Sequence, residues 1–364
     1  MKELDKIIAL RKKLHSHPEP SNHERKSREI LKKFIVENSS IELVDKGDWF
    51  YCVHREEGAS ETILIRADHD AILNSKVELF HGCGHDGHSA ILAGTIVEIE
   101  GKKFGKNIIF LFQPAEENGT GAKLCTPIFK EEKIDKVFGL HNMAGFKKGT
   151  IYYKPGVSQF ASQGLSIDFQ GRQSHASEPE KGKNPVFAMA ELVSFLEPFI
   201  ELKKVEYKGR RTQNPVLCTI VEIACGGKNF GINPGKGVLS LTIRSESGKD
   251  LQTFKDKIIA KAQELGEGLS IKYEEFDIFG ETCCDPHLTE ESVKNLQKAG
   301  FKTELMEEAF RGSEDFGVYG DFAPAVFFYL GIGEDYPPLH SDEYEFPDET
   351  IETGIGLWMA LIEA

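Results

Sequence analysis

Four short runs constrain this chain more than anything else in it. Thr62-Ile63-Leu64-Ile65, Asn107-Ile108-Ile109-Phe110-Leu111-Phe112, Val137-Phe138-Gly139-Leu140 and Pro324-Ala325-Val326-Phe327-Phe328-Tyr329-Leu330 are almost entirely apolar. Runs without polar alternation are expected of strands buried on both faces, as in a parallel sheet covered by helices. The first three run straight into ionisable residues: Arg66-Ala67-Asp68-His69-Asp70, Gln113-Pro114-Ala115-Glu116-Glu117 and His141-Asn142. The fourth leads through a loop to Leu339-His340-Ser341-Asp342. In an open α/β sheet, ligands bind in the crevice beyond the carboxyl ends of the strands. Loops are polar in any case, and that alone accounts for Asp68 or Asp70. It accounts poorly for Glu116 beside Glu117, because adjacent like charges repel unless something positive lies between them.

Between the first two runs lies His81-Gly82-Cys83-Gly84-His85-Asp86-Gly87-His88. A strand would turn Cys83 and His85 to one face, and a tight Gly turn can converge them on one ion. Thiolate and imidazole are ligands that zinc and other transition metals prefer. A single His in such a turn would more simply be exposed, but a thiol and three imidazoles in eight residues point to a metal site. Cys83 as a nucleophile paired with His85 is the alternative, and the carboxylates downstream suit a metal site better. His15, His17 and His23, around the loop Leu14-His15-Ser16-His17-Pro18-Glu19-Pro20-Ser21, read as surface or hinge residues.

Helices are expected over residues 3–16, over a stretch with Ile30, Leu31, Phe34 and Ile35 on one face, and after Cys83, where Leu92, Thr95, Ile96 and Ile99 fall at helical spacing. From about Gln163 the pattern changes. Leu165, Ile167 and Phe169 alternate with polar residues, a helix spans about Pro185 to Ile200, and strands follow at Val216–Ile223 and Leu239–Ile243. A helical stripe from Leu251 to Leu265 and an alternating Leu269, Ile271, Tyr273 complete a β-α-β-β-α-β order, the split ferredoxin-like unit. Buried-strand character then returns at Pro324, so this unit is an insertion. The chain is expected to be α/β: a discontinuous metal-binding catalytic domain (1–162 and 276–364) around a central, mostly parallel sheet, with an inserted ferredoxin-like α+β domain at 163–275. A C-terminal helix carries Ile351, Ile355, Trp358 and Ile362 on one face.

Charge narrows the function classes. With 58 acidic against 44 basic side chains, a net charge of −14 and no basic run interleaved with aromatics, nucleic acid is excluded as a partner. Seven scattered cysteines, an odd count with only Cys283-Cys284 adjacent, favour a reducing compartment, and the cytoplasm is expected. Met1-Lys2-Glu3-Leu4-Asp5-Lys6 is charged with no apolar segment after it, and no run approaches a membrane span.

Taken in order, Arg66-Ala67-Asp68-His69-Asp70-Ala71, Gly82-Cys83-Gly84-His85-Asp86-Gly87-His88, Gln113-Pro114-Ala115-Glu116-Glu117, Gly139-Leu140-His141-Asn142, Gly312-Ser313-Glu314-Asp315-Phe316 and Leu339-His340-Ser341 resemble the amidohydrolase branch of the dinuclear metallopeptidases. That branch includes aminoacylases, hippurate hydrolases, indole-acetyl-amino-acid hydrolases and N-acetyldiaminopimelate deacetylases. Leu14-His15-Ser16-His17-Pro18-Glu19 resembles its N-terminal signature. The resemblance implies Cys83, His85, Glu117, His141 and His340 as metal ligands, Glu116 as general base, and Asp70 and Asp86 as carboxylates that orient ligand histidines. It also implies that His175, in the loop Gly171–Ser177, reaches across a dimer to the substrate carbonyl. Five ligands are too many for one catalytic ion with an open position and fit two divalent ions, with Mn, Zn, Co and Ni as candidates.

Three departures from the family pattern stand out. His69 replaces the usual Met or Ile, the loop from Asp70 to His81 is short, and Gly231-Ile232-Asn233-Pro234 replaces Asn-Val-Ile-Pro, so that the Asn that reaches the substrate is either missing or supplied by Asn233 from a shifted position. The expected activity is metal-dependent hydrolysis of small N-acyl-amino acids. The inserted domain would act as lid and dimerisation surface of a homodimer, and a dipeptidase or aminopeptidase is the alternative within the same chemistry.

Overall fold

The computed structural model describes residues 3–364; Met1 and Lys2 of the charged N-terminus lie outside the described residues. The chain forms two compact units. One runs to Ser158 and resumes over Thr282–Ala309 and Glu314–Ala364; the other is Gln159–Glu281 with Phe310–Ser313.

The first unit is built on an eight-stranded sheet in the order Glu42–Asp45, Phe50–His54, Asn107–Gln113, Thr62–Asp68, Lys136–Ala144, Ala325–Gly333, Ile151–Tyr153, Thr303–Leu305. The apolar runs form its parallel centre, with Thr62–Asp68 between Asn107–Gln113 and Lys136–Ala144. Their lack of alternation is explained by two cores. Ile63, Ile65, Phe110 and Phe112 face one side with Ile91, Ile96, Ile355 and Trp358. Leu64, Ile109, Leu111 and Val137 face the other with Phe316, Tyr319 and Phe327.

After Thr62–Asp68 the chain lays its next central strand on one side and the following one on the other. A crevice opens where the order reverses, at the carboxyl ends of Thr62–Asp68 and Lys136–Ala144. The ladder between these two strands ends at Arg66 and Gly139. Asp68 and His141, just beyond, therefore stand where the strands part.

The helix His85–Glu98 is buried on every side over His85–Ile96, not along the single stripe its spacing suggests. The sheet and the helices Leu4–His15 and Ile351–Ile362 enclose it. The C-terminal helix is placed as expected. Among the described residues, no helix is long and apolar enough to cross a membrane.

The second unit is a four-stranded antiparallel sheet, Val216–Cys225, Lys236–Ser245, Ala161–Gln170, Ser270–Phe279, with the helices Val186–Leu196 and Gly248–Leu265. The expected helix to Ile200 ends at Leu196 and tightens into a 3-10 turn over Glu197–Ile200, where Pro198 cannot donate to an α-helical bond. A two-residue ribbon pairs Ser174–His175 with Ile232–Asn233.

Candidate metal centre

Cys83 and His85 are brought together by a turn, not by a strand. Gly84 between them has φ +93°, and a Cβ there would lie 2.4 Å from Asn142 Oδ1 and 2.6 Å from the Tyr344 hydroxyl. Only glycine meets both conditions. His85 then opens the buried helix, and its Nδ1 donates to Asp70 Oδ1 at 2.9 Å, which in the neutral ring fixes the tautomer and leaves Nε2 with a lone pair. Burial works against a charged His85, but Asp68, the Cys83 sulfur and Asp70 outweigh it and raise its pKa well above the ordinary value.

His141 was expected beyond its strand; it lies within Lys136–Ala144, held there by continued pairing with Ala325–Gly333. Its Nδ1 donates to Asn142 O at 2.7 Å, and its Nε2 lies 3.3 Å from Cys83 Sγ. His340 Nε2 lies at the same distance, 3.3 Å, from that sulfur. The His340 backbone is left-handed, φ +67°, and its N–H donates to Gly82 O at 2.8 Å. Burial lowers the pKa values of both histidines and pushes the Cys83 thiol up.

Glu116 and Glu117 follow Ala115, itself at φ +52°. Burial raises Glu116 well above the usual carboxylate range, helped by Glu314 and Glu117. Burial also pushes Glu117 up to about 7, although His85 pulls the other way. The ligand atoms fall into overlapping groups, each within 4.8 Å: Cys83, His85 and His141; Cys83, Glu117 and His340; and His85, Glu116 and Glu117. The six residues expected as ligands or base are thus brought to one place, with Asp70 behind His85.

This donor set fits divalent metal ions. Cys83 faces two imidazole nitrogens with a single proton to give. His85 Nε2 and Glu117 Oε1, 3.7 Å apart, are buried without a hydrogen-bond partner. Each such atom costs about 1–3 kcal/mol unless something satisfies it.

Sequence reasoning missed the cluster next door. Arg66, 2% exposed, donates from Nε to Gln113 Oε1 at 2.8 Å and from its terminal nitrogens to Asp68 at 2.7 Å, Glu314 at 2.9 Å and Asp315 at 2.8 Å. Asp315 also accepts from Gln113 Nε2 and from the Ala122 N–H. Burial pushes Asp315 up to about 8 against the pull of Arg66. The only signal in the sequence is that Arg66, Gln113, Glu314 and Asp315 all sit in the quoted motifs.

Asp86 does not orient a ligand histidine. It accepts from His15 Nδ1 at 2.9 Å and lies 3.6 Å from Arg11. His15 is therefore not a plain surface residue, and its hydrogen bond to Asp86 raises its pKa. His17 is exposed, and its ring Nδ1 meets Ser16 Oγ and Lys13 O in its own segment. His175 is exposed in the second unit; its Nδ1 lies 2.7 Å from Ser177 Oγ and 3.1 Å from the Ser177 backbone nitrogen, and its Nε2 is left for a partner outside the loop.

The whole-chain comparison agrees with these motifs. The profile of peptidase family M20/M25/M40 matches residues 64–364. The chain belongs to that family. The N-acetyldiaminopimelate deacetylase of Listeria monocytogenes is 26% identical over 379 residues, covering 99% of this chain and 100% of that protein. The N-acetyl-L-cysteine deacetylase of Bacillus subtilis is 26% identical over 354 residues, covering 92% of this chain and 82% of that protein. A Bacillus subtilis crystal structure described as a dinuclear metal binding peptidase of the M20 family shares the fold, with TM-score 0.80 at 21% identity over 99% of this chain and 97% of that one.

Against the M20/M25/M40 pattern, the three departures resolve as follows. The short loop is a hairpin, Ile72–Leu73 with Leu79–Phe80. His69 is buried with neither ring nitrogen partnered, and burial pushes its pKa down to about 3, so it stays neutral. Asn233 has spent its amide inside the second unit: Nδ2 donates to Ser174 Oγ at 3.0 Å and to Pro179 O at 3.3 Å, while Oδ1 accepts from Asn184 at 2.8 Å. It has become a brace for the strand that carries His175.

Proposed function

We propose that this M20/M25/M40 member hydrolyses the amide bond of small N-acyl-amino acids, N-acetyl-amino acids in the first place, at two divalent ions held by Cys83, His85, Glu117, His141 and His340. The observation that carries the reading is the buried Glu116 carboxyl beside a ligand set whose His85 Nε2 and Glu117 Oε1 lack partners. Two of the groups of ligand atoms include Cys83, and these residues would together hold the ions. The deacetylase activities in the names of the relatives supply the acyl group.

When bound, such ions lower the pKa of a water and polarise the substrate carbonyl. The chain supplies the rest. Glu116 takes the water's proton and passes it to the leaving amine. Asp70 holds the His85 ring, and its other oxygen accepts from the Glu117 N–H at 3.0 Å, so one carboxylate sets two ligands. His175 Nε2–H serves as the donor to the carbonyl oxygen of the partner subunit's substrate, in a homodimer formed through the second unit, which covers the substrate as a lid. That unit exposes Val221 and Ile223 on one edge strand and Tyr273, Phe276 and Ile278 on the other. The protein is assigned to the cytoplasm, where seven scattered cysteines without framework spacing suit a reducing environment.

A turnover screen tests the reading. N-acetyl- and N-benzoyl-amino acids are compared with free dipeptides on protein reloaded separately with Mn²⁺, Co²⁺, Ni²⁺ and Zn²⁺. Release of the free amino acid from N-acyl substrates is expected, and turnover of dipeptides alone would refute it.

A further inference from the structure

Glu24 is a buried carboxyl that neither the ligand set nor the Arg66 cluster uses. It precedes the helix Arg25–Asn38 and is 1% exposed. Its Oε1 accepts from the Ala115 N–H at 2.7 Å and from the Asn22 N–H at 3.0 Å. Ala115 is no ordinary partner. Its φ of +52° lies in the left-handed region, which residues with a Cβ rarely adopt and which persists only where the surroundings enforce it. The next residue is Glu116.

Elsewhere in the turn the Gly119 N–H donates to Glu116 O at 2.8 Å, the Gly121 N–H to Ala115 O at 3.0 Å and the Glu117 N–H to Asp70 Oδ2 at 3.0 Å. A Cβ at Gly121 would lie 1.7 Å from Pro114 O, so the turn packs too closely there for any residue but glycine. The segment before Glu24 touches the centre a second time, where Ser21 Oγ donates to Asp70 Oδ2 at 2.8 Å and the Ala71 N–H donates to Glu19 O at 2.8 Å.

We propose that Glu24 is a positioning residue for Glu116: by holding the Ala115 N–H it keeps the turn left-handed and so aims the Glu116 carboxyl. The proposal rests on the reading of Glu116 as the base. Glu24 acts through one atom, an acceptor at a set reach, and its charge is not needed for that.

Three variants separate reach from charge. Glu24→Gln keeps an acceptor at the same reach, Glu24→Asp keeps the charge one methylene short, and Glu24→Ala removes both. On an N-acetyl-amino acid, kcat should fall about 10²-fold for Glu24→Ala and Glu24→Asp, the scale of a small misplacement at a reacting centre, with KM and metal content unchanged. Glu24→Gln should restore most of the activity. In a Glu116→Gln background, Glu24→Ala should cost nothing further, because the group it aims is gone.

Amide exchange over residues 113–121 gives a readout independent of turnover, and it should quicken in Glu24→Ala and Glu24→Asp but not in Glu24→Gln. Full activity of Glu24→Asp beside an inactive Glu24→Gln would overturn the proposal, as would an undiminished loss in the Glu116→Gln background. Should Glu24→Ala not fold, the Asp and Gln variants decide. A wild type inactive on every substrate refutes the hydrolase reading instead, and unchanged exchange in Glu24→Asp would then refute the hold on the turn.

Discussion

Arg66 and His85 both lie at the carboxyl end of the central sheet, both are at most 2% exposed, and both face carboxylates, but their surroundings are satisfied to different degrees. Around Arg66, the guanidinium, Gln113, Asp68, Glu314 and Asp315 answer one another donor to acceptor. Around His85, the groups are supported from behind while their inner faces are not. Asp70 holds Nδ1 and leaves Nε2 unpartnered; the Glu117 backbone is held and its Oε1 is not; two imidazoles converge on one sulfur. A buried polar cluster that is complete has a structural role. One that is complete only from behind is organised for something that comes to its front.

The comparison can be broken from either side. The largest effect should come from the open cluster. Glu116→Gln keeps the shape and removes the base, and kcat should fall about 10²–10⁴-fold, the usual scale for general acid–base catalysis. Metal content should stay near wild type, whereas Glu117→Gln should lower it. Equal metal loss in both variants would show that the two glutamates had been assigned the wrong roles.

The closed cluster should answer in stability instead. Arg66→Met leaves Asp68, Glu314 and Asp315 without their counter-charge. Removing one partner from such a buried set costs about 3–5 kcal/mol. Urea unfolding should show a midpoint lowered to match, and an Arg66→Met protein as stable as wild type would mean that the network contributes no structural support.

A smaller loss is expected from the second unit. His175→Ala should lower kcat about 10²–10³-fold, as loss of one carbonyl-oxygen donor does, and should keep its metal. Mixed dimers sharpen this. Chains with His175→Ala and chains with Glu116→Gln, each nearly inactive, should regain a fraction of wild-type activity together, since one site then has both groups. No recovery in heterodimers known to have formed would place His175 in its own chain's site or in none.

Much of this was legible in the sequence for a physical reason. The strands Thr62–Asp68 and Asn107–Gln113 are sandwiched between two cores, so their sequences must be apolar throughout and must turn polar where the cores end. The alternation in Leu165, Ile167 and Phe169 marks a sheet with one covered face just as directly. What escaped depends on distant partners. Arg66 meets Glu314 and Asp315 from almost 250 residues away, with separations of 248 and 249, and nothing local marks it as buried. His15 looked like a loop residue because Asp86, its partner, is 71 residues on. Asn233 kept the chemistry expected of a substrate contact, and only the positions of Ser174, Pro179 and Asn184 reveal that its amide is already used.

The difference between the two clusters is tested most directly by metal analysis of protein purified without oxygen or chelator, for wild type, Cys83→Ser and Arg66→Met together. The account predicts up to two divalent ions per chain in wild type, reduced occupancy in Cys83→Ser, where a hydroxyl replaces the thiolate, and loss of turnover when a chelator strips the ions. Whatever remains folded of Arg66→Met should still bind them. Wild-type protein that turns over substrate at full rate in excess chelator, with no ion above background, would contradict it.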